Sequence, residues 1–248
     1  MVGADYNDKY YDYTKYWEGR DYENMAEISA LKKILPRDFS AERSVIDVGG
    51  GFGRLLGLYK KHFGKITIFD YSEKLLIAAQ ENAKNLGIEI DTVCGDINNI
   101  SNLVDGKYDY VCMIRVSHHL EDLDKVFGEV YKILNSGGVF ILEIANKMHF
   151  KSVLVNLFRR NWGFFNREPV SKTTSDTTFL NHHPKKVEEL LEKNGFRVTK
   201  ILSVSNFRMP LIKKAVPYKL LIWLENITQR IFAPVYFGPS IFYKIIRN

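Results

Sequence analysis

Four glycines lie close together in the segment Asp47-Val48-Gly49-Gly50-Gly51-Phe52-Gly53, which follows an apolar run and precedes a segment of helical pattern. Glycine tolerates a positive φ and allows a ligand to lie against the main chain. The first turn of a helix then offers free N–H groups to an anionic ligand. This segment therefore predicts a strand, a tight turn and a helix that together bind a nucleotide-like molecule.

The order of strand and helix recurs along the chain, which is typical of βαβ units and a mostly parallel sheet. The predicted strands are Ser44–Val48, Lys65–Phe69, Ile88–Cys94, Tyr108–Ile114, Val139–Ile144, Phe196–Val204 and Ile241–Ile246. Helices are predicted at Asp21–Leu35, from the glycine turn to about Phe63, between Ser72 and Gly87, and at Asp122–Leu134 and Lys185–Asn194. The pattern thus predicts an α/β fold.

Two segments, Asn146–His183 and Met209–Pro239, are too long for ordinary connections, so we expect each to be a cap insertion. We expect a single domain over residues 1–248. Its predicted parts are an N-terminal lid and helix (1–35), a cofactor-binding core (44–145), a cap (146–183) and a C-terminal part (184–248) that contains the insertion 209–239.

The composition indicates a globular protein, because 46% of the 248 residues are hydrophobic and 26% are charged. The net charge of +6 is compatible with an anionic partner but does not identify one. Cys94 and Cys112 lie in apolar runs and are expected to be reduced core residues. The polar N-terminus and the lack of a long apolar stretch predict a cytoplasmic protein, and no metal site is predicted.

The spacing of the glycines distinguishes between two nucleotide cofactors. The dinucleotide pattern G-x-G-x-x-G fails, because its last position falls on Arg54 or on Leu56. The chain instead fits D-x-G-x-G-x-G, with the acid at Asp47, and no G-K-[ST] follows the glycines. The spacing therefore disfavours a nicotinamide-dependent oxidoreductase, which stays as an alternative.

The pattern D-x-G-x-G-x-G resembles the first motif of class I S-adenosylmethionine-dependent methyltransferases. Three later segments of this chain also resemble motifs of that family. They are Asp70 at the end of the second predicted strand, Cys94-Gly95-Asp96-Ile97 and Val116–Asp122. The region around His183-Pro184 is similar to small-molecule and lipid-type members. The resemblance implies a Rossmann-like, doubly wound, seven-stranded and mostly parallel sheet with an antiparallel last strand, and S-adenosylmethionine as the cofactor.

The resemblance also implies roles for individual residues. Asp70 is expected to bind the ribose hydroxyls, which suits a carboxylate because it carries only acceptors. Asp96 is expected to bind the adenine amine, with the backbone N–H of Ile97 at the ring. The remaining cofactor-binding residues of this core are expected to be Asp47, Gly49, Gly50, Gly51, Gly53, Tyr71 and Arg115. Structural alternatives stay open for the acids, since Asp70 and Asp96 also suit capping positions.

Two further groups of residues are candidates for contacts with the reacting molecules. Tyr16 and Arg20 precede the first helix, in a segment expected to fold over the cofactor, where Arg20 would pair with the methionine carboxylate. The alternative is a packed flap. His118 follows the fourth strand, beside His119, and is the candidate general base. The alternative is a hydrogen bond to a neighbouring loop.

The methyl acceptor is expected to be a small or lipid-like molecule. A nucleic-acid methyltransferase is the main alternative, suggested by the Arg159–Arg167 stretch, although no N-P-P-Y-type loop is present. In Tyr218–Phe232, an apolar stripe is predicted to cover the domain's own core, a partner in a homodimer or a membrane surface. The stripe consists of Leu220, Leu224, Ile227 and Ile231. The chain is expected to be a monomer or a homodimer.

Overall fold

The computed structural model describes residues 17–173 and 178–248, so the predicted role of Tyr16 lies outside the described residues. The strands are β1 (Ser40–Val48), β2 (Phe63–Asp70), β3 (Asp91–Cys94), β4 (Tyr108–Met113), β5 (Leu134–Ala145), β6 (Val170–Thr173), β7 (Thr178–Asn181), β8 (Phe196–Val204) and β9 (Ser240–Arg247). The α-helices are α1 (Asp21–Lys32), α2 (Leu56–Tyr59), α3 (Glu73–Leu86), α4 (Leu123–Ile133), α5 (Phe150–Phe158), α6 (Pro184–Lys193), α7 (Pro210–Ala215) and α8 (Tyr218–Ile231).

Seven strands form one sheet in the order β3-β2-β1-β4-β5-β9-β8. The pairs among β1 to β5 are parallel, whereas β9 is antiparallel to both β5 and β8. This order confirms the predicted mostly parallel, Rossmann-like sheet with an antiparallel last strand. The carboxyl ends of β1, β2, β4 and β5 consequently lie at one edge, where ligands bind in sheets of this kind.

Each face of the sheet is covered by its own hydrophobic core. Neighbouring residues on β1 point to opposite faces, so Val45 belongs to the core with α1 and α3, and Ile46 belongs to the core with α4 and α6. Phe140 and Ile141 on β5 divide between the two cores in the same way. The sheet is therefore a rigid central layer that fixes the positions of its loops.

The helix ends agree with the predicted caps at two places. The Ser72 side chain accepts a hydrogen bond from the main-chain N–H of Leu75 at the start of α3, and Gly87 ends α3 with a φ of 65°. The predicted helix from the glycine turn to Phe63 is wrong, because α2 spans only Leu56–Tyr59. Phe63 is buried at the start of β2, with its ring 5.0 Å from that of Tyr110, so packing overrides the local helical pattern.

Both predicted insertions attach to the chain directly after β5. The Asn146 side chain donates hydrogen bonds to the carbonyls of Tyr236 and Gly238, at 2.6 and 2.7 Å. The buried Lys147 ammonium donates to the carbonyls of Asn166 and Glu168, at 2.8 and 2.7 Å. The segments containing α5 and α8 are thus held at the edge of the sheet where the glycine turn lies.

The apolar stripe of α8 does not cover the domain's own core. Ile227 and Ile231 are exposed, while Glu225 and Gln229 on the opposite face are fully buried. Among the helices in the described part of the chain, none has the length and apolar character that crossing a membrane requires.

Candidate active site

The glycine turn at the end of β1 has a conformation that other residues would adopt only with strain. Gly49, Gly51 and Gly53 have φ values of 71°, 54° and 75°. A Cβ on Gly49 would lie 2.2 Å from the Cγ2 atom of Val116 in the loop after β4. The turn therefore needs glycine both for its backbone angles and for its close approach to the neighbouring loop.

Asp70 lies at the end of β2, next to this turn. Its Oδ2 atom accepts a hydrogen bond from the Gly51 N–H at 2.8 Å, and its Oδ1 atom accepts one from the Ser72 N–H at 2.9 Å. Burial nevertheless raises the pKa of the Asp70 carboxyl above its ordinary value. The carboxylate is thus fixed in orientation at the rim of the cleft, where it has further lone pairs for a ligand hydroxyl.

Asp96 lies in the next loop along the same edge. Its Oδ1 atom accepts hydrogen bonds from both the N–H and the side-chain amide of Asn98, so Asp96 caps the 3-10 helix Ile97–Asn102. The Gly95 N–H donates to the Asp70 carbonyl at 3.1 Å, which ties this loop to the end of β2. Capping uses one carboxylate oxygen, so the adenine role is chemically compatible with it and stays a prediction.

Asp47 is buried beneath the glycine turn. Burial raises the pKa of its carboxyl to about 7, against the opposing effect of the nearby Arg54 guanidinium. The ionised form of Asp47 would be stabilised by a further positive charge in the cleft.

Glu27 on α1 joins two guanidinium groups at the opposite side of the cleft. Its Oε1 atom lies 2.6 Å from both Nε and NH2 of Arg115, and its Oε2 atom lies 2.7 Å from NH2 of Arg54. Glu27 is fully buried, while the two arginine side chains keep part of their surface exposed. Both guanidiniums line a small cavity together with Asp47, Gly49, Gly50, Phe52, Leu55 and Ile114.

Trp17 covers this pair of arginines. The guanidinium carbon of Arg54 lies 3.9 Å from the centre of the Trp17 ring, and that of Arg115 lies 4.9 Å from it, which are cation–π distances. Arg20 occupies the N-cap position of α1, and its side chain is exposed. Trp17 thus stacks on both arginines of the cleft, and the contact predicted for Arg20 stays a prediction.

The backbone of Arg115 is held in a left-handed conformation, with a φ of 62°. Its N–H donates a hydrogen bond to Oε2 of the buried Glu143, at 2.9 Å, and Oε1 of Glu143 accepts a hydrogen bond from the Ser240 hydroxyl. Strained backbone of this kind persists where the surroundings impose it, and it concentrates at functional sites. Glu143 is therefore a positioning residue for Arg115.

An aromatic and imidazole cluster lies next to Arg115, after β4. The ring centres of His118 and His119 are 4.1 Å apart, and each lies 5.2–5.4 Å from the ring of Phe179 on β7. Burial, followed by the charges of His119 and Arg115, lowers the pKa of His118 well below its ordinary value. His118 is therefore neutral at physiological pH, in the form that accepts a proton.

The site residues predicted from the sequence lie at one edge of the sheet, but the sequence did not indicate several of their partners. Asp47 and Asp70 lie at the carboxyl ends of β1 and β2, and Asp96, Arg115 and His118 follow β3 and β4. Tyr71 is exposed at the same rim, and Ile97 is buried below it. The sequence analysis did not identify Glu27, Arg54, Glu143 and Phe179 as site residues. Only Glu27 could have been suspected, because an acidic residue among apolar residues of a helix suggests a buried partner.

The residues of this cleft fit S-adenosylmethionine. Carboxylates that only accept hydrogen bonds lie at the end of β2 and after β3, and guanidiniums suited to a carboxylate line the cavity beside the glycine turn.

Comparisons with known proteins agree with this geometry. Residues 46–142, from β1 to β5, match the model of a methyltransferase domain family. The ubiquinone biosynthesis O-methyltransferase of Coxiella burnetii is 26% identical over 175 residues, which cover 70% of this chain and 72% of that protein. The sterol 24-C-methyltransferase of Eremothecium gossypii is 31% identical over 108 residues, 39% of this chain and 26% of that protein.

The fold is also similar to solved structures. The magnesium protoporphyrin IX methyltransferase of Synechocystis PCC 6803, solved with bound S-adenosylhomocysteine, has a TM-score of 0.54 and 17% identity, with 98% of this chain and 90% of that chain covered. The fold and the matched domain are similar to those of class I methyltransferases. The chain is an S-adenosylmethionine-dependent methyltransferase, and the nicotinamide alternative is wrong.

Proposed function

We propose that this methyltransferase transfers a methyl group to a small, apolar and lipid-like acceptor by in-line displacement. The observation that carries the proposal is the cluster of His118, His119 and Phe179 beside Arg115. The neutral imidazole of His118 and the ring of Phe179, with His119 beside them, offer a largely apolar surface with few proton-accepting groups. Such a surface favours an uncharged ring or chain over a phosphate backbone.

We propose the following contacts for the cofactor. Asp70 accepts hydrogen bonds from the ribose hydroxyls, and Asp96 with the N–H of Ile97 binds the adenine. The turn from Asp47 to Gly53 lies beneath the methionine part, whose carboxylate pairs with Arg115 or with Arg20. These roles are supported by the carboxyl-end positions of the acids and by the Glu27 clamp, which holds Arg115 in one orientation.

The bound cofactor supplies a methyl group on a positively charged sulfur. Transfer to an acceptor atom would break the carbon–sulfur bond of the cofactor and leave its electron pair on the sulfur. For a hydroxyl acceptor, the neutral imidazole of His118 would take the released proton. Alignment and exclusion of water supply most of the acceleration, because the donor is already activated.

The relatives support an apolar acceptor, since one is named for ubiquinone biosynthesis and the other for a sterol. The segments 146–183 and 209–239 attach beside the site through Lys147 and Asn146, so we propose that they form the acceptor pocket. The residues proposed here all come from one chain. A monomer is therefore expected to be active, whether or not the protein also forms a homodimer.

Incubation with S-adenosylmethionine labelled in the methyl group tests the acceptor class. We expect label to appear in a solvent-extractable product with a hydroxylated quinol or a sterol, and not in transfer RNA. The inactive control is Asp70→Ala, and Asp105→Ala, an exposed acid far from the site, is the matched active control. Label in transfer RNA, with none in any apolar acceptor, would reject the proposed acceptor class.

A further inference from the structure

The helix α8 exposes an unusual amount of apolar surface. The ring of Trp223 is 57% exposed, and Ile227 and Ile231 are 42% and 62% exposed. Leu220 belongs to the same stripe, because positions 220, 223, 227 and 231 recur at helical spacing. Leu224 of the predicted stripe is only partly exposed and Trp223 takes its place, so we refer to Leu220, Trp223, Ile227 and Ile231 as the α8 stripe.

A buried polar network holds α8 in the orientation that exposes the α8 stripe. The Glu225 carboxylate accepts hydrogen bonds from the Tyr22 hydroxyl at 2.6 Å and from the N–H groups of Ser205 and Asn206 at 2.8 and 3.0 Å. The Gln229 amide donates to the Ala26 carbonyl at 2.8 Å. Turning the apolar face inwards would break these buried bonds, so the exposure is built into the fold.

A groove runs beside the α8 stripe, between α1 and α8. Its volume is about 470 Å³, and it is lined by Met25, Ile28, Ser29, Lys32, Lys33, Lys219, Ile222, Trp223 and Asn226. Three of these nine residues are lysines, and none is acidic. The apolar stripe and the groove therefore form one surface, here called the α1–α8 face, with positive charge along it.

Further cations surround the end of this face. The pKa of Lys33 is lowered to about 8 by burial and by the charges of Arg230 and Lys200, although the buried Glu225 opposes the shift. The pKa of Lys200 is lowered by burial and by the charges of Arg230, Lys244 and Arg37. These like charges repel each other, and an anionic surface placed against them would relieve that repulsion.

We propose that the α1–α8 face binds the surface of an anionic lipid membrane. The α8 stripe would enter the boundary between headgroups and acyl chains, with Trp223 at the depth that tryptophan prefers, while Lys32, Lys219 and Arg230 contact lipid phosphates. A second copy of this chain is a poorer occupant, because two copies of this face would bring cations against cations. The proposal concerns a surface separate from the methyl-transfer site and does not depend on the acceptor.

Sedimentation of the full-length protein with vesicles tests this proposal. One set of vesicles contains phosphatidylcholine alone, and the other contains one anionic phosphatidylglycerol in about three lipids. We expect binding to the anionic vesicles, weakened by 0.5 M salt as screening requires. Ile227→Asp should weaken that binding about tenfold, since it replaces an exposed apolar side chain that would enter the lipid boundary with a charged one. Ile77→Asp, at an exposed isoleucine of α3, is the matched control and should bind as the unmodified protein does.

The charge contribution is tested in the same assay. Lys219→Glu and Arg230→Glu should each weaken binding by about fivefold or more, whereas Lys84→Glu on α3 should leave it unchanged. Calorimetric titration with S-adenosylhomocysteine shows that each variant is folded, because the cofactor cleft lies elsewhere.

Several results would overturn the proposal. The first is no binding to anionic vesicles, and the second is equal binding to both kinds of vesicle. The third is an equal effect of Ile227→Asp and Ile77→Asp. A dimer in sedimentation velocity that Ile227→Asp abolishes, without vesicle binding, would assign the α1–α8 face to a second copy of the chain instead.

Discussion

Replacing Glu27 by glutamine tests whether the buried carboxylate holds the two arginines of the cleft. Glutamine keeps the size of the side chain and one hydrogen-bond acceptor but removes the negative charge. Arg54 and Arg115 would then lie side by side, stacked on Trp17, without the carboxylate that now lies 2.6–2.7 Å from both. The variant should therefore be less stable than the unmodified protein.

The size of the effect follows from burial. Removing one partner of a buried ion pair destabilises a protein by roughly 3–5 kcal/mol. The two arginine side chains are 15% and 19% exposed, so water reaches part of them and the lower value of about 3 kcal/mol applies. In a chain of 248 residues each kcal/mol lowers the Tm by about 2–4 °C, so we expect a decrease of about 6–12 °C.

Differential scanning calorimetry measures this change, and Glu23→Gln provides a matched control on the same helix. Glu23 pairs with Lys213, at 3.0 Å, closer to the surface. Glu23 holds one cation instead of two, and that cation is more exposed than either arginine, so we expect Glu23→Gln to lower the stability less than Glu27→Gln does. If Glu27→Gln lowered the Tm no more than Glu23→Gln does, the clamp would not contribute to the stability of the cleft and the reasoning would be wrong.

Two further variants test the turn and the proposed base. Gly49→Ala should destabilise the protein by about 1–3 kcal/mol and weaken the binding of S-adenosylhomocysteine. Gly57→Ala, which has open space around it, should do neither. Scanning calorimetry measures the stability of both variants, and titration calorimetry measures their binding. The pKa of His118 is lowered, so its imidazole stays neutral even when the pH falls to the ordinary pKa of histidine. We therefore expect kcat/KM to decrease only at a pH below that ordinary value. In His118→Ala this acidic decrease should disappear and kcat should fall, and a pH profile identical to that of the unmodified enzyme would exclude His118 as the base.

The sheet could be predicted from the sequence because each strand is a short apolar run bounded by turn residues. The run Phe196–Val204 agrees with β8 at both ends, and the turn at Gly87 ends α3 as predicted. The helix after the glycine turn could not be predicted in length, because Phe63 is a strand residue only by virtue of the rings that pack against it.

The acids of the cleft were predictable for a different reason. Asp47, Asp70 and Asp96 each lie at or near a strand end in a local motif, so sequence order alone brings them to one edge. Glu27 and Phe179 reach the same cleft from α1 and β7, which no local pattern connects to the glycine turn. Their contribution depends on tertiary packing.

The α8 stripe shows the limit of periodicity as a guide. Helical spacing correctly predicted an apolar face, but it could not indicate which way that face points. The direction depends on the Glu225 network with Tyr22 and Ser205, and these residues lie far apart in the sequence.

Titration calorimetry with S-adenosylhomocysteine tests the central claim most directly. We expect saturable binding at one site per chain, weakened about 10–100-fold by Asp70→Ala, because hydrogen bonds to a charged group contribute about 1.5–3 kcal/mol. Asp105→Ala should bind as the unmodified protein does. Absence of both heat and a thermal shift in the unmodified protein, or equal affinities of the two variants, would contradict the assignment of this cleft to S-adenosylmethionine.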